Sequence, residues 1–172
     1  MYTQSEHIHR YAVWTAARAV QRGFTTTQNI HSAINQTRLP NFLDEQIHDE
    51  NDYKTFHIQT HNKLKEVFGK LGFDGESYSY GRSAKIIAIY LKTAVGIRFP
   101  IGDPLQALIH PPIDRILLQA LAKEKRFSGL SSLRTQNWTQ LKEDAYWELA
   151  TLIQEKVGYF DWRLEEFWKP TD

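Results

Sequence analysis

The 172-residue sequence predicts an all-α protein, one compact multi-helix domain spanning residues 1–172. Apolar residues recur at three- and four-residue steps in segment after segment, the spacing of one buried helix face. Capping residues and glycines bracket those segments. No segment alternates convincingly at period two, as a half-buried strand would.

The first helix is predicted from about Glu6 to Arg22, with Ile8, Tyr11, Ala12, Thr15, Ala19 and Val20 on its stripe and Gly23 at its C-terminal end. Thr25, Thr26 or Thr27 can cap a second helix carrying Ile30, Ala33 and Ile34, which Pro40 and Asn41 interrupt. Asp49 or Asp52 can cap a third, running through Tyr53, Phe56, Leu64, Val67 and Phe68 to Lys70. Gly69, Gly72 and Gly75 then break it, and Asp74 and Ser77 predict a turn. A fourth helix spans roughly Arg82 to Val95, followed by a loop with Gly96, Pro100, Gly102 and Pro104. Gln106 to His110 reads as a short helical turn. Pro111 and Pro112 introduce a fifth helix from Ile113 to about Lys125, with Pro112 at the first helical position and Asp114 in the first turn. The sixth runs from about Trp138 to Val157 and ends at Gly158. Asp161 caps a short last helix holding Trp162, Leu164, Phe167 and Trp168.

Composition bounds the function classes. A hydrophobic fraction of 41% with 13% aromatics argues against disorder. The absence of cysteine removes disulfides, a thiol nucleophile and thiolate metal sites. No basic cap and apolar core open the sequence, and the longest apolar run is Ile86 to Leu91, so a cytoplasmic protein without a membrane span is expected. The formal net charge is +1, yet residues 81–142 hold ten Lys or Arg against three acids, and residues 143–172 hold eight acids against three bases. A basic middle with acidic flanks fits either a phosphate-facing surface or charges that pair across the fold.

Chemistry concentrates on the fourth helix, Gly81-Arg-Ser-Ala-Lys-Ile-Ile-Ala-Ile-Tyr-Leu-Lys-Thr-Ala-Val95. Apolar residues cover most of its circumference, the mark of a central helix. It nonetheless carries Lys85 and Lys92, seven positions apart and so nearly on one face. A buried amine is costly unless paired. Either Lys85 snorkels to the surface, or it needs a carboxylate, a phosphate or a path to water. Asp114, fixed behind two prolines, is its candidate partner, with His110 nearby as a third polar group.

Other patterns are weaker. His57 and His61 stand at i and i+4, a spacing that can bind zinc, but the His-Glu-x-x-His motif is absent and no metal site is expected. His7 and His9 read as surface residues. No phosphate-binding loop, dinucleotide fingerprint or Gly-x-Ser-x-Gly elbow occurs, and no cofactor is expected. The adjacent Glu165 and Glu166 point in different directions on a helix and do not make an acid–base pair.

Gly81-Arg-Ser-Ala-Lys85, an apolar helix, and Pro112-Ile-Asp114 opening another helix together resemble the helix-hairpin-helix DNA glycosylase superfamily. The covered segment is about Tyr78 to Ala122, roughly a quarter of the chain. Tyr11-Ala-Val-Trp-Thr-Ala-Ala-Arg18 and the C-terminal tryptophans also look like those of a small all-helical family with the same Gly-x-x-x-Lys and Pro-Ile-Asp pattern. The resemblance implies a helix-hairpin-helix glycosylase-like fold, DNA as partner, Lys85 as nucleophile and Asp114 as catalytic carboxylate. It further implies a phosphate held by backbone N–H groups around Tyr80, Gly81 and Arg82, and backbone contacts from Arg82, Lys92, Arg98, Lys123, Lys125 and Arg126. Trp14, Tyr78, Tyr80 or Trp138 would stack on a base. The sequence departs from the family in its hairpin, keeping only the last glycine of Leu-Pro-Gly-x-Gly. The family lysine lies two residues after that glycine, where this chain has Ser83. The rival expectation is a non-enzymatic helical interaction module with a structural Lys85–Asp114 pair, taking a protein partner or a second copy of the chain.

Overall fold

The computed structural model describes residues 1–73 and 77–170, which form helices and the turns and loops between them, with no strand among them. Six α-helices form the frame: α1 (Gln4–Val20), α2 (Thr27–Asn35), α3 (Glu50–Lys70), α4 (Tyr80–Arg98), α5 (Arg115–Lys123) and α6 (Glu143–Val157). Short 3-10 turns at Leu39–Asp44, Pro104–Leu108, Ser131–Thr135, Trp138–Gln140 and Trp162–Phe167 link them. No helix among the described residues is long and apolar enough to cross a membrane.

Local chemistry sets the ends. Thr3 and Glu6 form a reciprocal capping box, so α1 starts two residues before the expected Glu6. Thr26 caps α2, and Asp49 caps α3 by accepting from the N–H groups of Asn51 and Asp52. α3 runs through Gly69 and turns at Gly72, whose φ of +85° suits glycine. Of the break and turn expected at Gly75, Asp74 and Ser77, positions 74 and 75 lie outside the described residues.

Three boundaries differ from expectation for physical reasons. α4 passes Val95 and Gly96 and stops only at Arg98, because Pro100 favours the extended backbone seen at Phe99. α5 starts at Arg115, not Ile113; Asp114 is extended and its side chain accepts from the Leu117 N–H, which makes it the N-cap rather than a first-turn residue. α6 starts at Glu143, because Trp138–Gln140 forms a separate turn tied to α4: the Gly81 N–H donates to the Leu141 carbonyl at 3.1 Å.

The apolar interior falls into two clusters that share α4. One gathers α1, α2, α3 and the stretch Ile86–Val95 of α4 around Ile30, Ile34, Phe42, Phe56, Leu64 and Phe68. The other gathers α5, α6 and the C-terminal turn against Tyr80 and Ala84. α4 is therefore the central helix its composition implies, with both ends of the chain packed against it.

Candidate functional site

The N-terminal half of α4 meets the Trp138–Gln140 turn at unusually short range. A Cβ on Gly81 would lie 1.9 Å from the Trp138 carbonyl oxygen, so only glycine permits this approach. This tight seam sets Trp138 beside Lys85, one turn further along α4. The Lys85 ammonium lies 4.6 Å from the centre of the Trp138 ring.

Lys85 and Asp114 are in direct contact, Nζ donating to Oδ2 at 3.1 Å, with side chains only 10% and 12% exposed. Asp114 uses both oxygens. Oδ1 accepts from the Leu117 N–H at 3.0 Å as the α5 cap, and Oδ2 also accepts from the Trp168 indole N–H at 3.1 Å. The site is thus an ammonium–carboxylate pair between α4 and the start of α5, covered by Trp138 and Trp168. Trp168 itself stays 37% exposed. The stiff Pro111-Pro112 approach delivers Asp114, and the 162–167 turn, capped by Asp161, delivers Trp168.

A separate buried layer of histidines and tyrosines lies between α3, α4 and α6. His57 shares a 2.7 Å hydrogen bond with the Tyr80 hydroxyl, which also accepts from the Trp147 indole N–H at 3.1 Å. His61 shares one of 2.7 Å with Ser83, and Ser83 another of 2.6 Å with Tyr78. His110 shares one of 2.9 Å with Tyr146. Burial disfavours the charged imidazolium. It holds His57 well below the usual histidine range, aided by the charges of His110 and His61. It pushes His110 down to about 3 and, with Lys65 adding to it, His61 down to about 4. Burial likewise raises the hydroxyls of Tyr53, Tyr78, Tyr80 and Tyr146. The Nε2 of His57 and the hydroxyl of Thr60 are buried without a partner among the described residues.

The other expected site residues are not gathered around the pair. Tyr80 and Tyr78 are buried in this layer and present no face to a base. Two of the amides expected to hold a phosphate are occupied: that of Gly81 by Leu141, and that of Arg82 by the Ser79 hydroxyl at 3.2 Å. The Arg82 guanidinium lies over Phe24, and that of Arg98 over Phe99. Lys92 is held by both oxygens of Glu165, at 2.6 and 2.7 Å. Arg126 pairs with Glu124 and lies over Phe167. Lys123 closes α5, with Lys125 just beyond it. Ser83, in the register of the family lysine, is wholly buried and hydrogen-bonded. Trp14 is exposed and stacks on Tyr11.

One histidine expectation is corrected. His9 is a half-buried bridge between helices, bonded to Tyr90 of α4 at 2.8 Å and Asn35 of α2 at 2.9 Å. His57 and His61 each spend Nδ1 on a hydroxyl, and among the described residues no three His, Asp or Glu side chains converge as a metal site.

The sequence reading missed Trp168 as a partner of Asp114 and Glu165 as the partner of Lys92. It also missed the His57–Tyr80–Trp147 and His110–Tyr146 contacts. The one available signal was the histidine pair on an otherwise apolar stripe of α3. No family model matches the chain, and neither the curated proteins nor the solved structures hold a match to it.

Proposed function

We propose that the chain is a DNA-binding protein of the glycosylase/lyase kind, with Lys85 as amine nucleophile and Asp114 as its carboxylate. The observation that carries this reading is the buried 3.1 Å contact between them. A buried ion pair is a poor stabiliser; apolar residues of similar volume often serve as well or better. Such a pair does, however, set an amine beside a carboxylate, the two groups that amine-nucleophile catalysis uses.

In the reaction, Asp114 accepts a proton from the Lys85 ammonium. The neutral amine then bonds to the deoxyribose C1′ of a nucleotide extruded from the duplex, as the bond from C1′ to the base breaks. The base leaves with the bonding electron pair and the proton returned by Asp114. With that proton gone, the C1′–O4′ bond opens, O4′ taking a proton from the adduct nitrogen, and the Asp114 carboxylate stabilises the positive Schiff base that results. Trp138 and Trp168 must move aside for the sugar to reach Nζ.

A specific observation favours a second reading, a helical interaction module with a structural pair. The tryptophans close over Lys85, and Lys92 and Arg126 already have acidic partners. Binding separates the two. The protein is titrated with a duplex containing a stable abasic-site analogue and with the intact duplex, at two salt concentrations. The glycosylase reading expects tighter binding to the lesion, weakened by salt and altered in Lys85→Ala. Equal, salt-independent or absent binding favours the module.

A further inference from the structure

A second concavity lies away from Lys85 and Asp114, between the start of α3, the approach to Pro111, and the C-terminal half of α6. Its volume of about 420 Å³ falls in the usual range for small-molecule sites. Tyr53, His110, Trp147, Tyr159 and Phe160 give it aromatic walls, and Asn51 and Gln154 add side-chain amides.

The charged residues at this concavity are largely committed. Arg163 is forked onto Asp161 at 2.8 and 2.6 Å, and Lys54 lies over the Trp147 ring at 4.9 Å. Glu50 is the remaining acid of the lining, so no cationic cradle for a phosphate is present there. Recognition falls to ring faces and to uncharged donors and acceptors. His110 is central to that set. It lines the cavity, Phe160 meets its ring edge to face at 4.7 Å, and its Nδ1 is spent on Tyr146. Its Nε2 makes no hydrogen bond among the described residues. A neutral imidazole and two amides can each donate or accept, which matches the mixed edge of a planar nitrogen heterocycle. Aromatic walls supply stacking for its faces.

We infer that this cavity binds an uncharged, planar nitrogen heterocycle of nucleoside size. The inference does not rest on the glycosylase reading, because neither Lys85 nor Asp114 lines the cavity.

The test is saturation-transfer NMR on the full chain with adenosine, uridine, ribose and adenosine monophosphate. Two variants fill the cavity from exposed wall positions, Thr151→Trp on α6 and Ala107→Trp on the opposite side; circular dichroism checks that each is folded. The expected result is saturation of the base protons of a nucleoside but no signal from ribose, a monophosphate that binds no tighter than the nucleoside, and at least a tenfold loss of affinity in a folded wall variant. His110→Phe keeps a ring but removes the nitrogen, and should weaken the nucleoside severalfold. The inference is overturned if neither nucleoside binds at millimolar concentration, if the monophosphate binds tenfold tighter than adenosine, or if both folded wall variants bind as the wild type does.

Discussion

The two halves of α4 carry the same residue types in different surroundings. In the first half, Gly81 is pressed against the Trp138 carbonyl and Lys85 is enclosed with Asp114. In the second, Gly96 has nothing within 4 Å of where a Cβ would sit, and the Lys92–Glu165 pair is 30% and 21% exposed. Lys92 edges an apolar cavity of about 320 Å³ lined by Val95, Ile101, Ile109 and Trp162. A lysine and a glycine at similar helical positions are therefore structural ornament in one half and constraint in the other. What differs is the segment packed outside them, which comes from residues far along the chain.

The largest expected effect comes from breaking the enclosed pair. Asp114→Ala strands a buried ammonium and removes the α5 cap, and should cost about 3–5 kcal/mol in urea unfolding. The double variant Lys85→Met with Asp114→Asn removes both charges and keeps a capping side chain, so most of that loss should return. Glu165→Gln, at the outer pair, should cost no more than about 1 kcal/mol. Equal losses at the two pairs would erase the distinction between the halves.

The glycines give the next effect. Gly81→Ala has to displace backbone at Trp138, and should cost about 3 kcal/mol or uncouple the 138–141 turn from α4. Gly96→Ala should stabilise by up to about 1 kcal/mol, the gain in helix propensity. Thermal denaturation of both variants measures the contrast.

Acid should act on the first half through His57 and His61, which pair with Tyr80 and Ser83, and through His110 beside them. Their pKa values are lowered in the folded state, so the unfolded chain binds more protons between the two sets of values. Stability should be full above about pH 6.5 and fall as the pH drops toward 4, by about 1.4 kcal/mol per unit for each such histidine. Urea titrations at pH 7.5, 5.5 and 4.5 should show the decline, and His61→Gln should flatten it.

The smallest effect sharpens the picture of the tryptophan cover. Trp168→Phe keeps a ring but removes the N–H donated to Asp114, and should cost about 1 kcal/mol. It should also raise the rate of reductive methylation of Lys85 relative to Lys92, read by peptide mass spectrometry.

Much of this frame was legible in the sequence. Gly158 and Asp161 announced their boundaries, and Thr26 and Asp49 stood among the few candidate caps, because capping is local chemistry. Lys85 on an apolar helix had either to snorkel or to find a partner, and Pro111-Pro112 marked Asp114 as the candidate carboxylate. The cover over that pair was not legible. Trp138 and Trp168 reach it from residues 53 and 83 positions beyond Lys85, and no periodicity encodes such contacts. Gly81 read as the remnant of a hairpin, whereas its constraint is the neighbouring backbone. Tyr80 read as a candidate to stack on a base because its partners His57 and Trp147 lie on two other helices.

The most direct test of the account is borohydride trapping on duplexes carrying damaged bases or an abasic site. The expected result is a covalent protein–DNA adduct mapped to the Lys85 peptide, absent in Lys85→Ala and strongly reduced in a folded Asp114→Asn. A panel that yields no adduct, or one mapped to another lysine, would contradict it and leave Lys85 and Asp114 as a structural pair.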